Sequence, residues 1–339
     1  MNIYPILQKL NNQFNRLTDG EVFELIQHQV RTANQDNISR TKAYRSFFQE
    51  YPEIKWAFLA SMVSRNAGWN MCDLEGEWYP KILSPSFRYQ LFLTYERANW
   101  LIFQDAYPQL LTYHYMTLLN RDLFHLLPKF HVSQFMGREW EHFKVYKDQN
   151  RLLYALIVNE QHLIQKPVIE DPILKHRVFK TKMFSLQDFF HYSCVLFPTL
   201  TGELYGASVT RFRDHRERIK LGKKLAFILF KPGLFPYFIA FSNEVEPTGS
   251  RWEYEQFQAN KRFNHTPILR TTYPIIPHHV HQKSIVYWEK YYKVKKGWRD
   301  VEKPSNDIRL TDWYESKRHE VTAAISIEQV YHYRKRQKK

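Results

Sequence analysis

Glycine is scarce in this chain, 10 residues in 339, well under the roughly 7% usual in globular proteins. That shortage argues against collagen-like, linker-like and glycine-loop-rich architectures. The motifs Gly-x-x-x-x-Gly-Lys, Gly-x-Gly-x-x-Gly, Gly-x-Ser-x-Gly and His-Glu-x-x-His are all absent. The common nucleotide, esterase and zincin mechanisms therefore have no local support. Cysteine is scarcer still: Cys72 and Cys194 stand far apart among apolar neighbours. Two isolated thiols make neither a disulfide framework nor a zinc knuckle, so they read as small buried hydrophobes in a reducing compartment. No run of about 18 apolar residues exists to span a bilayer. The start, Met1-Asn2-Ile3-Tyr4-Pro5, lacks a basic stretch leading into an apolar one, so no secretory signal is expected. The expected location is cytoplasmic.

What is plentiful is aromatic and basic. Phe, Trp and Tyr make up 17% of the chain, and the formal net charge is +15. A hydrophobic fraction of 44% with 24% charged residues is enough to bury a core and argues against extensive disorder. The charge is unevenly shared. Residues 1–150 are near neutral at +1, whereas 151–339 carry +14. Prolines 167 and 172 fall between, which suggests a near-neutral half over 1–166, a basic half over 172–333 and a basic tail over 334–339.

Proline and capping residues punctuate the chain, and the expected fold class is mainly α. Thr18-x-x-Glu21, Ser185-x-x-Asp188 and Ser250-x-x-Glu253 have capping-box spacing, in which a hydroxyl takes an orphan helix N–H and the acid reaches back. Pro52, Pro85, Pro108 and Pro172 fall where a first helical residue needs no N–H. Helices are read near 3–16, 20–34, 40–50, 52–73, 85–107, 109–127, 134–146 and 149–165. Further ones are read near 172–182, 185–195, 203–221, 250–263, 279–296, 311–321 and 326–336. Strand-like alternation is weak, and no long repeat is apparent.

The most informative segment is Trp56 to Asp73. Its first half is apolar nearly all round, the mark of a helix buried on most sides. Its second half inserts polar residues on one arc. At about 100° per residue from Ser61, Arg65, Trp69, Asp73, Asn66 and Asn70 fall within half a turn, with Ala67 and Met71 opposite. A buried guanidinium needs a carboxylate. The nearby run Tyr95 to Trp100 places Glu96, Asn99 and Trp100 on one face, so Glu96 or Asp73 is expected to pair with Arg65. Two readings follow: a polar network that fixes helix register, or a pocket in which Arg65 holds an anionic group, Asn66 and Asn70 orient it and Trp69 stacks. No second carboxylate at a defined spacing completes an acid–base pair with Glu96.

Other constellations are weaker. Glu139-x-x-His142 is half of a di-iron motif, and no second copy exists. His278, His279 and His281 cluster in a loop without a further ligand at metal spacing. No metal or cofactor is expected. Thr248-Gly249-Ser250-Arg251 opens a helix whose free N–H groups could hold an anion, although an N-cap explains it equally. The stretch 211–224 carries Arg211, Arg213, Arg216, Arg218, Lys220, Lys223 and Lys224. Two apolar, aromatic arms follow it around Lys231-Pro232-Gly233. A polybasic helix beside an aromatic wedge suits an anionic membrane surface, and nucleic acid ranks below it for want of a recognised motif. The plainer reading makes the arms core and the bases a solvated face.

Arg40-Thr41-x-Ala43-Tyr44 and Pro52-Glu53-Ile54-x-Trp56 through Asn70-Met71-x-Asp73-Leu74 are similar to a family of uncharacterised Bacillus-type proteins, the YppC-like family. The stretch Phe241 to Phe257, with Gly249-Ser250-Arg251-x-Glu253-Tyr254-Glu255, fits it as well. The resemblance runs over most of the chain. It implies a Gram-positive cytoplasmic protein and carries over no activity, cofactor or catalytic residue. The leading expectation is a non-catalytic protein that binds an anionic partner through its basic half, peripherally at the inner membrane face. The alternative is an enzyme or small-molecule binder at Arg65, Asn66, Trp69, Asn70, Asp73, Glu96 and Asn99.

Overall fold

The computed structural model describes residues 17–179, 194–209, 212–259, 266–278, 288–304, 307–317 and 319–320. The expected helices near 3–16 and 326–336, the capping box at Ser185, and Arg211 lie outside them. The chain is mainly α. Its principal helices are α1 (Asp19–Ala33), α2 (Asn37–Glu50), α3 (Lys55–Asp73), α4 (Pro85–Leu119), α5 (Gln134–Tyr146), α6 (Gln149–Ile164), α7 (His215–Leu229) and α8 (Phe235–Glu244).

Local chemistry sets several boundaries. Thr18 closes the expected capping box on α1: its hydroxyl oxygen accepts from Glu21 N, and the Glu21 carboxylate accepts from Thr18 N. Val22, Ile26 and Val30 then form one buried stripe against Leu111, Tyr115 and Leu126. Asp36 caps α2 and Ser84 caps α4, with Pro85 in its first turn. α3 begins at Lys55, three residues after Pro52, because Tyr51 to Ile54 form the turn between α2 and α3.

Three expectations are corrected. Pro108 does not divide two helices, for α4 continues through it to Leu119 and ends at Asn120 in a left-handed conformation. Pro108 is buried, and packing along α4 outweighs the lost N–H, a cost of about 3 kcal/mol in an isolated helix. Residues 204–208 are not helical. Leu204–Ser208 (β2) pairs antiparallel with Cys194–Pro198 (β1), in the register Leu196↔Gly206. The helix expected over 203–221 therefore starts only at His215, capped by Asp214. The segments near 250–263 and 279–296 hold only the single turns Trp252–Glu255 and Trp288–Lys290 among the described residues.

The main apolar core draws on α2, α3, α4, α5 and α6 together with β1, α7 and α8. Its aromatic centre sets Tyr44 against Trp56, Phe103 and Tyr107, and Phe58 against Phe48 and Phe235. The apolar arms around Lys231 are the last turns of α7 and the whole of α8, and Ile228, Leu229, Phe238 and Phe241 are buried in that core. No described helix is long and apolar enough to cross a membrane.

Gly206 lies at φ +151°, and a Cβ there would sit 2.0 Å from the Val195 carbonyl oxygen. Gly206→Ala should lower unfolding stability by about 2–3 kcal/mol through strain and loss of β1–β2 pairing. Urea titration measures this, and an unchanged midpoint would contradict the register.

Candidate functional site

The polar arc of α3 faces the segment 245–255, and the two are joined by buried charges. Arg65 is only 2% exposed. Its Nε donates to Glu253 Oε2 at 2.5 Å, its Nη2 donates to the Val245 carbonyl at 2.7 Å, and its guanidinium lies over the Phe241 ring. Glu253 is the hub. Its other oxygen accepts from Thr248 N, Gly249 N and the Thr248 hydroxyl at 2.5, 2.7 and 3.0 Å. The anion that the 248–251 turn can hold is thus the protein's own carboxylate, which has turned away from the capping role expected of it. Gly249, at φ +81°, makes the turn possible, since a Cβ would meet Leu269 at 2.7 Å and the Cys72 sulfur at 3.2 Å.

Arg65 was expected to pair with Glu96 or Asp73, and it pairs with neither. Asp73 lies eight residues further along the helix, a rise of about 12 Å. It is held instead by Arg251, whose Nε is 2.8 Å from both carboxylate oxygens. Arg251 also donates to Asn70 Oδ1 and to the Tyr254 hydroxyl, which in turn donates to Tyr314. Glu96 belongs to Arg40, which donates to both of its oxygens and also to Asn34 and Asn37. His278 approaches the same carboxylate at 3.3 Å while stacked on Trp100.

The remaining arc residues are engaged as well. Asn66 accepts from Leu196 N and donates to the Leu196 carbonyl, both at 2.7 Å, so its amide serves β1 as an edge partner. Trp69 is fully buried against Tyr254. Asn99 donates within its own helix to the Tyr95 carbonyl. Glu139, the acid of the half-motif, is paired with Arg151.

Electrostatics follows this pairing. Burial disfavours ionised Glu96, but the charge and hydrogen bonds of Arg40 outweigh it and hold the carboxyl below its ordinary range. Burial likewise opposes the charge on Arg251, yet Asp73 and Tyr254 hold the guanidinium well above its usual value. Arg65 is lowered by burial, with Glu253 offsetting part of the effect.

A second cluster was not singled out from the sequence. Asp105 of α4 accepts from Asn159 and Gln109 at 2.7 and 2.8 Å, and Glu160 of α6 accepts from Gln161 at 3.0 Å. Among the described residues neither acid has an ion-pair partner. Burial pushes both carboxyls up to about 7. The signal was available: Glu160 ends the apolar run Leu152 to Val158, and no base stands three or four residues from either acid.

A family model described as "Protein of unknown function (DUF2515)" matches residues 32–315. The chain belongs to the DUF2515 family. It is 46% identical over 305 residues to the uncharacterized protein YppC of Bacillus subtilis (strain 168), covering 90% of this chain and 94% of that one. No solved structure matches it. The DUF2515 span takes in the arc of α3, all of its partners, and both unpaired acids.

In this DUF2515 chain the basic helix divides into inner and outer bases. Arg218 and Lys223 do not belong to a charged surface, because both are buried. Arg218 donates to Gln161, Gln165 and the Phe212 carbonyl, and burial lowers it to about 10. Lys223 donates to the Asp300 carbonyl at 2.9 Å. Arg213, Arg216 and Lys220 are exposed, Lys220 is paired with Glu217, and Lys224 is half-buried.

The Glu160 carboxyl stands at about 7 in the folded chain against 4.5 for the ordinary group. Its contribution to stability is therefore full below pH 4.5 and is lost as pH rises through 7, by at most roughly 3 kcal/mol. Glu160→Gln should flatten the stability curve over that window and be the more stable protein above it. Denaturation midpoints across pH measure this; superimposable curves for variant and parent would contradict it.

Proposed function

We propose that the chain is a non-catalytic binding protein that docks on an anionic lipid surface through a face built from α7 and residues 288–303. One observation carries the reading: the buried Lys223 ammonium, bonded to the Asp300 carbonyl, ties one basic stretch against another nearly eighty residues away. The start of this second stretch is anchored too. Trp288 stacks on His162 at 4.2 Å and donates to Asn159, while Tyr292 donates to Glu170. The result is a set of exposed cations, Arg216, Lys293, Lys295, Lys296, Arg299 and Lys303, that form no ion pair among the described residues.

Exposed apolar side chains stand among these charges: Tyr291 and Val301 are 57% and 56% exposed. Lysines interleaved with exposed apolar groups suit an interface where charge attracts and apolar atoms enter the headgroup layer. Each such cation contributes about 1 kcal/mol near an anionic membrane. The reading places the protein peripherally on that surface. The alternative of an enzyme or small-molecule binder at Arg65, Asn66, Asn70 and Glu96 is less well supported, because internal partners already take up both charges.

Co-sedimentation with phosphatidylglycerol vesicles should retain the chain, and phosphatidylcholine vesicles should not. Retention should fall away above about 0.5 M salt as screening shortens. Changing Lys293, Lys295 and Lys296 together to Glu should abolish it without shifting the thermal midpoint. Equal partition to both lipids, or to neither, would overturn the proposal, as would capture by an oligonucleotide with none by vesicles.

A further inference from the structure

A cavity of about 420 Å³ lies against the outer edge of β2. On this edge Tyr205 pairs with Arg309: the Gly206 N–H donates to the Ile308 carbonyl, and the Leu310 N–H donates to the Leu204 carbonyl. Among the described residues the pairing stops there. Strand alternation turns the backbone N–H and C=O of Ser208 to the same side as those of Gly206. The other edge of the sheet agrees, since Asn66 takes the N–H and C=O of Leu196, opposite Gly206. Ser208 therefore lines the cavity with a donor and an acceptor that no described residue takes up. A second wall is one face of α7, Glu217, Lys220, Leu221 and Lys224, at i, i+3, i+4 and i+7.

The charges on these walls cancel in pairs, with two left over. Lys220 bonds Glu217 at 2.9 Å. Arg309 bonds Glu203 and, at 2.7 Å, Asp312. Lys224 is half-buried, yet it has no ion-pair or hydrogen-bond partner among the described residues. The Asp307 carboxylate accepts only the Arg309 backbone N–H beside it. An ammonium and a carboxylate thus line one cavity without bonding each other. Leu221, Leu310 and Trp313 add apolar surface. A lone anion there meets the charge of Asp307, and a lone cation meets that of Lys224. A molecule with both signs, an amide and an apolar side chain matches every one of these features.

We infer that this cavity binds a short peptide with both ends free. Its carboxylate pairs with Lys224 and its ammonium with Asp307. Its amide bonds the backbone of Ser208, and an apolar side chain lies against Leu221 and Trp313. The volume falls in the range of roughly 300–1,000 Å³ usual for ligand cavities, where a few placed polar groups fix orientation on apolar walls. On α7 this face lies about 100° round the axis from Lys223, so the inference does not rest on the lipid-facing surface.

The test is isothermal titration of the full chain with the dipeptide Ala-Leu, with its N-acetyl and C-terminal amide forms, and with free leucine. Ala-Leu should bind saturably. Each blocked form should bind at least about tenfold more weakly, as the loss of one charged hydrogen bond implies. Lys224→Met should weaken Ala-Leu by a similar factor and leave the affinity of the amide form unchanged. Asp307→Asn should likewise weaken Ala-Leu and leave the N-acetyl form unchanged. Neither side chain has an ion pair to lose among the described residues, so thermal midpoints of both variants should match the parent. The inference is overturned if Ala-Leu does not bind, if a blocked form binds as tightly, or if either variant leaves Ala-Leu binding unchanged. Leucine binding as tightly as the dipeptide would overturn it too.

Discussion

The carboxylate of Glu253 is the joint on which the rest of the arrangement depends. One oxygen takes the Arg65 guanidinium of α3, and the other takes two backbone N–H groups and a hydroxyl of the 248–249 turn. Both charges are almost wholly out of water. A lone buried ion is too costly to keep, so each fixes the position of the other. The partners are 188 residues apart in sequence. Arg251 repeats the device, reaching back 178 residues to Asp73, whereas Arg270 is exposed and reaches 234 residues to the largely buried Asp36. Segments with little regular structure of their own are thereby held on α2 and α3 by charge. Such pairs need not exceed hydrophobic packing in net stability, but losing one partner leaves the other stranded. That asymmetry gives the fold its register.

Much of this was legible in the sequence, and the failures have a common cause. Thr18-x-x-Glu21 marked the start of α1 because both halves of a capping box lie within three residues. The apolar circumference of Trp56 to Met62 marked a helix buried on most sides. Local signals failed wherever a distant partner decided the outcome. Glu253 has capping-box spacing from Ser250, but a guanidinium brought in by α3 claims it instead. Pro108 looks like a boundary, yet tertiary packing carries α4 through it. Leu204 to Ser208 becomes a strand because β1 lies alongside, with Gly206 allowing the approach. The arc on α3 was visible as an arc. Its partners were not, since Arg251 and Glu253 are adjacent to it only after folding.

The structure also sorts the positive charges by use. Arg40, Arg65, Arg218, Lys223 and Arg251 face inward and bond to carboxylates, carbonyls and amides. The bases of residues 293–303 face outward without partners among the described residues. Each inner arginine bonded to an acid cancels a charge of opposite sign, whereas Arg218 and Lys223 carry two of the positive charges counted in the net +15 into the interior. For acids the contrast is sharper: Glu96, Glu253 and Asp73 are neutralised internally, whereas Asp105 and Glu160 are not.

The central claim is that Arg65 and Glu253 act as a coupled pair that holds residues 245–255 to α3. The direct test is a double-mutant cycle of Arg65→Met and Glu253→Gln followed by urea unfolding. Each single change should cost about 3–5 kcal/mol. The double change should cost less than their sum by a coupling of about 1–3 kcal/mol. Losses that add to within about 0.5 kcal/mol would contradict the account, since the two charges would then be independent of each other.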